Sequence, residues 1–457
     1  MSVLSKFAHK MKKDGYIARF NSLKNIPVFY KEEYDVDVVR YIESGCSDDL
    51  MFDNIKTIIE LLMKHKIIVP SHEYDDAILE AIQNAADEPY ISIMYLILTE
   101  KCNFNCSYCF IERHMDSAKA NIMTEEIAKK AVDFFVLQIE KKPELFHEEK
   151  SIIFYGGEPL SNYHVLKYAA NLINQYIKEG KLPAKTEISM VTNGSFLTSE
   201  IASELAGLGV TFSISLDGAT MAANKCRVYH NGKPAYTDII KGIESAKSVG
   251  VEFGLSITLS EDALSEKDSI ISLINDYDIK GIGYNILNTD KTFTVTEDYY
   301  EKASSFIIDS FVALRPEGVY EDRIMRKVKA FSEHKLHYFD CGAVGGHQIV
   351  VAPNGDVGIC HGYLSSRKTF VTNVDDTSFD VRNDPLYIEW GKRTPFNMPQ
   401  CVNCMALGTC GGGCALCAAE NGKSIWDIDK GFCVHAKSTL EFLIWDLLDK
   451  IKGENTI

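Results

Sequence analysis

Between Ile91 and Leu287 the chain repeats one pattern six times, a short apolar run followed by a longer segment of helical periodicity. The apolar runs fall at 91–98, 151–155, 187–192, 211–216, 252–258 and 281–287, and segments such as 124–140 and 235–249 have helical length. Near-continuous apolar runs suit strands buried on both faces, and right-handed crossovers roll six such units into an open or closed α/β barrel. Parallel barrels carry their chemistry at the C-terminal ends of the strands. The segment "TEKCNFNCSYCF" (99–110) stands there, directly after the first run.

The flanks differ from this core. Residues 16–34 read as two short strands, "YIARFNS" and "IPVFYKE", turning around Leu23–Asn25. Helices are expected near 35–44 and 50–65, then a short strand "KIIVP" and a helix with connector over 71–88. From about 338 the chain is short-stranded and rich in Gly and Cys, with "PNGD" as a hairpin turn and 436–451 as an amphipathic helix. Three units follow: 1–87, 88–337 and 338–457.

Composition excludes several classes. The apolar fraction of 46% is that of a globular chain, and the longest uncharged apolar run, 91–98, is too short to span a bilayer. The start has no apolar segment or cleavage site of a signal peptide, so a cytoplasmic protein is expected. A net charge of −16 argues against nucleic acid and anionic membrane as partners. Residues 1–31 depart from this balance, with seven Lys/Arg against one Asp.

A reducing compartment keeps thirteen cysteines from pairing, which leaves metal binding or catalysis. Cys102, Cys106 and Cys109 stand three and two residues apart on one loop. Zinc wants four ligands, usually as two paired motifs. A 4Fe–4S cluster on three thiolates leaves one iron open.

C-x3-C-x-aromatic-C, with Tyr108 as the aromatic, resembles the signature of the radical S-adenosylmethionine (SAM) superfamily. Further motifs stand at successive strand ends: "GGE" (Gly156, Gly157, Glu158), "TNG" around Asn193, and "SLDG" with Ser215 and Asp217. The resemblance implies a partial (β/α)6 TIM-like barrel. It also implies a cluster on Cys102, Cys106 and Cys109 whose open iron chelates SAM, and cleavage of SAM to a 5′-deoxyadenosyl radical. By the same resemblance the "GGE" segment contacts the methionine amino group, Ser215 and Asp217 lie near SAM, and Arg227 pairs with its carboxylate. The glycines are expected because the backbone must approach a ligand closely.

The C-terminal cysteines resemble the SPASM domain, a small Cys-rich extension of radical SAM enzymes that modify peptides and proteins. The match runs through Cys341, Gly355-x4-Cys360, Cys401-x2-Cys404-x5-Cys410-x3-Cys414 and Cys433. It implies an outer auxiliary 4Fe–4S cluster on Cys401, Cys404, Cys410 and Cys433. An inner one would rest on Cys341, Cys360 and Cys414, making three clusters in all. Sulfatase-maturing relatives carry one more cysteine between the positions of Cys341 and Cys360, and an Asp where this chain has His361. Either Cys417 completes the inner cluster, or an open iron there takes a substrate thiolate. His361 is a candidate base, or a hydrogen-bond donor to a cluster sulfur.

Region 16–87 resembles, in pattern, the PqqD-like precursor-recognition element, a winged-helix-like α+β unit that binds a leader peptide as an added strand. A DNA-reading winged helix is the alternative, but no helix carries an Arg/Lys-rich face. The basic start would suit an acidic leader. The expected activity is a peptide maturase that forms Cys-derived thioether crosslinks, fed by a low-potential electron donor (flavodoxin or ferredoxin). The alternative is a carbon–carbon-linking or residue-oxidising maturase, including sulfatase-maturase-like activity. Cys46 reads as a core thiol, and Cys226 lies beside Arg227 near the expected site.

Overall fold

The computed structural model describes residues 2–85, 88–111, 120–287, 289 and 293–454. It opens with β1 (Val3–Leu4), β2 (Ala8–Lys13), β3 (Tyr16–Asn21) and β4 (Val28–Lys31), then α1 (Asp35–Glu43), α2 (Asp53–Lys64), β5 (Ile68–Val69) and α3 (His72–Asn84). The strands β2, β3 and β4 form an antiparallel sheet, while β1 pairs with β5. Period-two alternation splits β3 between two cores. Ile17 packs with Val28, Tyr30 and the helices α1 and α2, whereas Ala18 and Phe20 pack toward Phe432 and Trp445 near the other end of the chain.

In the three-stranded sheet the sequence reading expected β3 and β4 and missed β2. Its "AHKMKK" has no apolar period because it is an edge strand with its lysines largely in solvent. The missed signal is the dipeptide Asp14–Gly15. Both residues have positive φ (50° and 75°), the backbone of a tight two-residue hairpin whose register runs Lys13↔Tyr16 to Ala8↔Asn21. Gly15→Val puts a β-branched residue into the left-handed region, at about 1–2 kcal/mol. The expected result is a lower denaturation midpoint for the N-terminal unit with the iron content of the chain unchanged.

Six parallel strands follow as expected: β6 (Ile93–Thr99), β7 (Lys150–Gly156), β8 (Thr186–Thr192), β9 (Val210–Ser215), β10 (Gly254–Leu259) and β11 (Gly281–Ile286). Each leads to a helix: α4 (Glu125–Glu140), α5 (Tyr163–Lys178), α6 (Ser199–Gly207), α7 (Tyr236–Ser248), α8 (Lys267–Asp276) and α9 (Tyr299–Leu314). Met94, Leu96, Phe154, Met190, Phe212 and Ile257 turn to the helix side and are buried. The opposite, inner face is aromatic on β6 and β7, with Tyr95 and Tyr155, and polar on β9 to β11, where Ser215, Ser256 and Asn285 line up. The sheet therefore offers a site with one apolar and one polar wall.

The chain continues through β12 (Tyr320–Glu321) and α10 (Asp322–Ser332) to β13 (Gln348–Val351), β14 (Asp356–Gly358) and β15 (Phe370–Asn373). It ends with α11 (Pro385–Gly391), α12 (Leu407–Cys410), α13 (Ala415–Asn421) and α14 (Lys430–Glu454). "PNGD" is the expected hairpin turn between β13 and β14. β13 pairs in parallel with β6, from Gln348↔Ile93 to Val351↔Leu96, so one ten-stranded sheet runs β12-β11-β10-β9-β8-β7-β6-β13-β14-β15. This pairing sets the C-terminal cysteine region beside the strand that feeds the first cysteine loop. Among the described residues no helix is long and apolar enough to cross a membrane.

Candidate active site

The first cysteine loop leaves β6 and is fastened on both sides. Asn105 N–H donates to the Val228 carbonyl at 2.7 Å, Ser107 N–H to the Cys226 carbonyl at 3.2 Å, and Cys109 N–H to the Cys106 carbonyl at 3.0 Å. The "GGE" turn after β7 holds the start of the loop. Gly157 N–H donates to Thr99 O at 2.9 Å and Glu158 N–H to Lys101 O at 3.0 Å. A Cβ on Gly156 (φ +137°) would lie 2.3 Å from Thr99 O, and one on Gly157 would lie 2.2 Å from Lys101 O. These glycines admit the cysteine loop's own backbone, where the sequence reading expected a ligand's approach. Gly157→Ala must push the loop off the turn, at about 1–3 kcal/mol of strain. The expected result is an unfolding midpoint below wild type together with reduced iron uptake at this loop.

Glu158 is fully buried and acts as a tie between strand ends. Its carboxylate accepts from Leu160 N–H at 2.9 Å, the Thr192 hydroxyl at 2.7 Å and Asn193 N–H at 2.7 Å. Burial raises its pKa to about 6, against the pull of those three donors. Asn193 passes the connection to the loop: its side-chain N–H donates to Asn103 Oδ1 at 2.8 Å and toward Cys102 Sγ at 3.9 Å. Asn103 also donates to the Ser195 hydroxyl at 2.8 Å. Asn103 and Ser195 were not picked out from the sequence, although Ser195 directly follows the "TNG" motif.

Below the loop, Asp217 is fully buried between two partners. The Tyr108 hydroxyl donates to its Oδ2 at 2.5 Å and Arg227 Nη2 to its Oδ1 at 2.8 Å. The Arg227 guanidinium lies 5.6 Å from the Tyr108 ring centroid. Burial opposes the charge on Arg227, but Asp217, Tyr108 and Cys106 outweigh it and raise its pKa. Arg227 Nε is buried with no partner among the described residues, a donor left for a ligand. Ser215 stands at the end of β9, in register with Ser256.

The three loop thiols are near one another, since Cys106 and Cys109 both act on the acidity of Cys102. Burial raises Cys102, and raises Cys106 to about 12, so cluster assembly must release their protons. Phe104 N–H points at Cys102 Sγ from 3.4 Å, as a thiolate requires. Among the described residues no three His, Cys, Asp or Glu groups gather around a single ion position. A 4Fe–4S cluster takes each thiolate on a separate iron and fits this donor set.

The C-terminal cysteines lie in two neighbourhoods. Cys401, Cys404, Cys410 and Cys433 line one apolar cavity, with Met398 and Phe432 in its wall. Cys360 is acted on by Cys414 and Cys341. Cys417 is buried beside this second group, and its thiol donates to Cys414, which lowers the pKa of Cys414 and raises its own. An apolar cavity walled by four thiols has the donor set of a cluster.

His361 joins the two regions. It follows Cys360, and its ring stacks on Tyr95 at 4.6 Å, with Tyr155 at 5.0 Å and Phe110, the neighbour of Cys109, at 5.8 Å. Burial lowers its pKa to about 4, and its Nδ1 has no partner among the described residues. Tyr95 and Tyr155, which the sequence reading passed over, form a wall that packs in one cluster with Cys109 and Phe110 and meets the His361 ring next to Cys360. Alternation along β6 and β7 was the available signal, because it sends both tyrosines to the inner face.

Comparisons with known proteins agree with this geometry. Residues 96–266 match the model of the Radical SAM superfamily. The radical SAM cyclopropyl synthase TigE of Paramaledivibacter caminithermalis is 27% identical over 376 residues, covering 78% of this chain and 74% of TigE. Among solved structures, native anSMEcpe with bound AdoMet and the Kp18Cys peptide superposes with a TM-score of 0.66 at 18% identity, over 80% of this chain and all of that one. Streptococcus suis SuiB bound to its precursor peptide SuiA gives a TM-score of 0.52 at 15% identity, over 95% of this chain and all of SuiB. The chain thus carries a radical SAM domain in an α/β fold with a mostly parallel central sheet, and it is a radical SAM enzyme. That domain implies SAM and a 4Fe–4S cluster as cofactors.

Proposed function

We propose that this enzyme is a cytoplasmic peptide maturase that removes a hydrogen from a carbon of a ribosomally made precursor and closes a Cys-derived thioether there, the surplus electron of the bond-forming step leaving through the clusters that the C-terminal cysteines would hold. The observation that carries the reading is the aromatic junction of Tyr95, Tyr155 and His361, set between the Cys102/Cys106/Cys109 loop and the Cys341/Cys360/Cys414 group. A substrate carbon held there would face both cysteine regions at once. The likeness to SuiB, solved with a precursor peptide, and to anSMEcpe, solved with a peptide, supports a peptide substrate.

Cys102, Cys106 and Cys109 would hold the catalytic cluster, with Tyr108, Gly156, Gly157, Glu158, Asn193, Ser215, Asp217 and Arg227 around SAM. Bound together, cluster and SAM supply the hydrogen-abstracting radical. This chain's residues position and shield. Glu158 and Asn193 fix the loop, Asp217 orients Tyr108 and Arg227, and the Tyr95/Tyr155 wall excludes water. His361 is the candidate base for the proton that the substrate thiol gives up, and the burial that keeps its ring neutral also makes it a weaker base.

The N-terminal unit would receive the leader as a strand added at an open edge of the β2-β3-β4 sheet. Five of the seven basic residues at the start are matched within this chain, Lys6 with Asp76, Lys10 and Arg19 with Asp35, Lys12 with Glu32 and Lys31 with Glu33. Main-chain pairing therefore supports the docking better than charge does, with a flavodoxin or ferredoxin as electron source.

A second reading, a carbon–carbon link, is favoured by the likeness to a cyclopropyl synthase and by Cys417 beside Cys414, which offers the inner group a fourth thiol. Incubation of the anaerobically reconstituted enzyme with precursor, SAM and dithionite, followed by thiol alkylation, separates the two. A thioether costs the precursor two hydrogens and one alkylatable thiol per link. Loss of two hydrogens with every thiol still alkylatable overturns the thioether and leaves the carbon–carbon reading.

A further inference from the structure

Two buried cations stand beside the C-terminal cysteines with no part in the chemistry described so far. Arg393 is 0% exposed. Its guanidinium donates only to backbone carbonyls: Gly412 at 2.9 Å, Gly413 at 3.2 Å, Asp427 at 3.2 Å, and Ile425. Among the described residues no carboxylate comes within ion-pair distance of it. A buried charge paired with dipoles alone is strongly disfavoured. The acidic groups placed to compensate it are Cys414 and Cys341 of one cysteine group, Cys401 of the other, and Asp429. Asp429 is a poor counter-charge, because burial raises its own pKa.

The sequence between the groups explains the grip. Gly411, Gly412 and Gly413 join Cys410 of the outer group to Cys414 of the inner one, and all three have positive φ (78°, 80° and 69°). Only glycine repeats that conformation without strain, and two of the carbonyls it turns are those that Arg393 holds. The second cation, Lys327, is 1% exposed on α10, and its Nζ makes no hydrogen bond among the described residues. It lies 4.3 Å from the Phe432 ring centroid and 3.6 Å from Asp340 Oδ1, and acts on Cys410. Asp340 is shared with Arg326 and His337, so it does not neutralise Lys327 alone.

We propose that Arg393 is the counter-cation shared by two iron–sulfur centres, and that Lys327 serves the outer centre alone, so that both side chains make these centres easier to reduce. The inference rests on the reading that both C-terminal cysteine groups carry clusters. A fixed positive charge favours the state with one more electron, and it acts more strongly in a buried site than in water. Both are positioning residues.

The test is an EPR-monitored potentiometric titration, with dithionite as the one-electron reductant. The protein is the reconstituted full chain with Cys102, Cys106 and Cys109 changed to Ala, which leaves only the C-terminal centres. Cys360→Ala in that background identifies the outer couple. Arg393→Gln is expected to make both centres at least tenfold harder to reduce, about 59 mV for a one-electron couple. Lys327→Met is expected to move the outer couple alone, and Arg393→Lys, which keeps the charge, to move both by less than half as much as Arg393→Gln. Loaded centres with unmoved potentials in Arg393→Gln overturn the proposal, as does an equal shift of both couples in Lys327→Met. If Arg393→Gln takes up less iron, Lys327→Met and Arg393→Lys decide by the same criteria, with Arg393→Lys required to stay within tenfold of wild type. A parent chain that loads no iron overturns the two-centre reading itself, and this inference with it.

Discussion

The Cys106→Ala enzyme is expected to form no 5′-deoxyadenosine from SAM and dithionite, and to bind about four fewer irons per chain than wild type. The geometry makes the loss specific. The loop's backbone is held by Val228, Cys226, Gly157 and Glu158, none of which depends on the Cys106 side chain, so the loop stays in place while one cluster corner is lost. Iron retained by the C-terminal cysteines distinguishes this outcome from general unfolding. Undiminished 5′-deoxyadenosine in this variant contradicts the assignment of the loop.

His361→Phe is the second large effect. Phenylalanine keeps the ring stacked on Tyr95 and beside Tyr155 and removes only the two nitrogens, so folding and iron content should match wild type. Loss of a general base lowers rates by about 10²–10⁴-fold. Crosslinked product is expected to fall by that factor while 5′-deoxyadenosine continues to form, which uncouples the two. Product formed at the wild-type rate removes His361 from the chemistry and leaves it a packing residue between the two cysteine regions.

Much of the barrel was legible because burial and periodicity coincide there. The six apolar runs became β6 to β11 with ends displaced by only a few residues, since parallel strands covered by helices must be apolar along their length. The N-terminal hairpin was half legible. Its inner strand β3 is buried on both faces, but β2 is polar and depends on Asp14–Gly15 for its place. The pairing of β13 with β6 was not legible, because it joins residues far apart in sequence through backbone hydrogen bonds that leave no local pattern.

The same division holds within the site. Residues with distinctive chemistry at strand ends, such as Cys102, Glu158 and Asp217, could be picked out one by one. Their partnerships could not. Asp217 and Arg227 were each expected beside a ligand, and they face one another at 2.8 Å. Gly156 and Gly157 were expected to make room for a ligand, and they make room for the loop. Tyr95, Tyr155 and Arg393 carry no motif. Their meaning comes from what the fold packs around them.

The central claim is that the radical takes its hydrogen from a carbon of a bound peptide between the two cysteine regions. It is tested most directly with a candidate precursor deuterated at its side-chain and α carbons, incubated with enzyme, SAM and dithionite. The account predicts that 5′-deoxyadenosine gains deuterium in step with the loss of hydrogens from the precursor. Modified precursor accompanied by 5′-deoxyadenosine that carries no deuterium would contradict it.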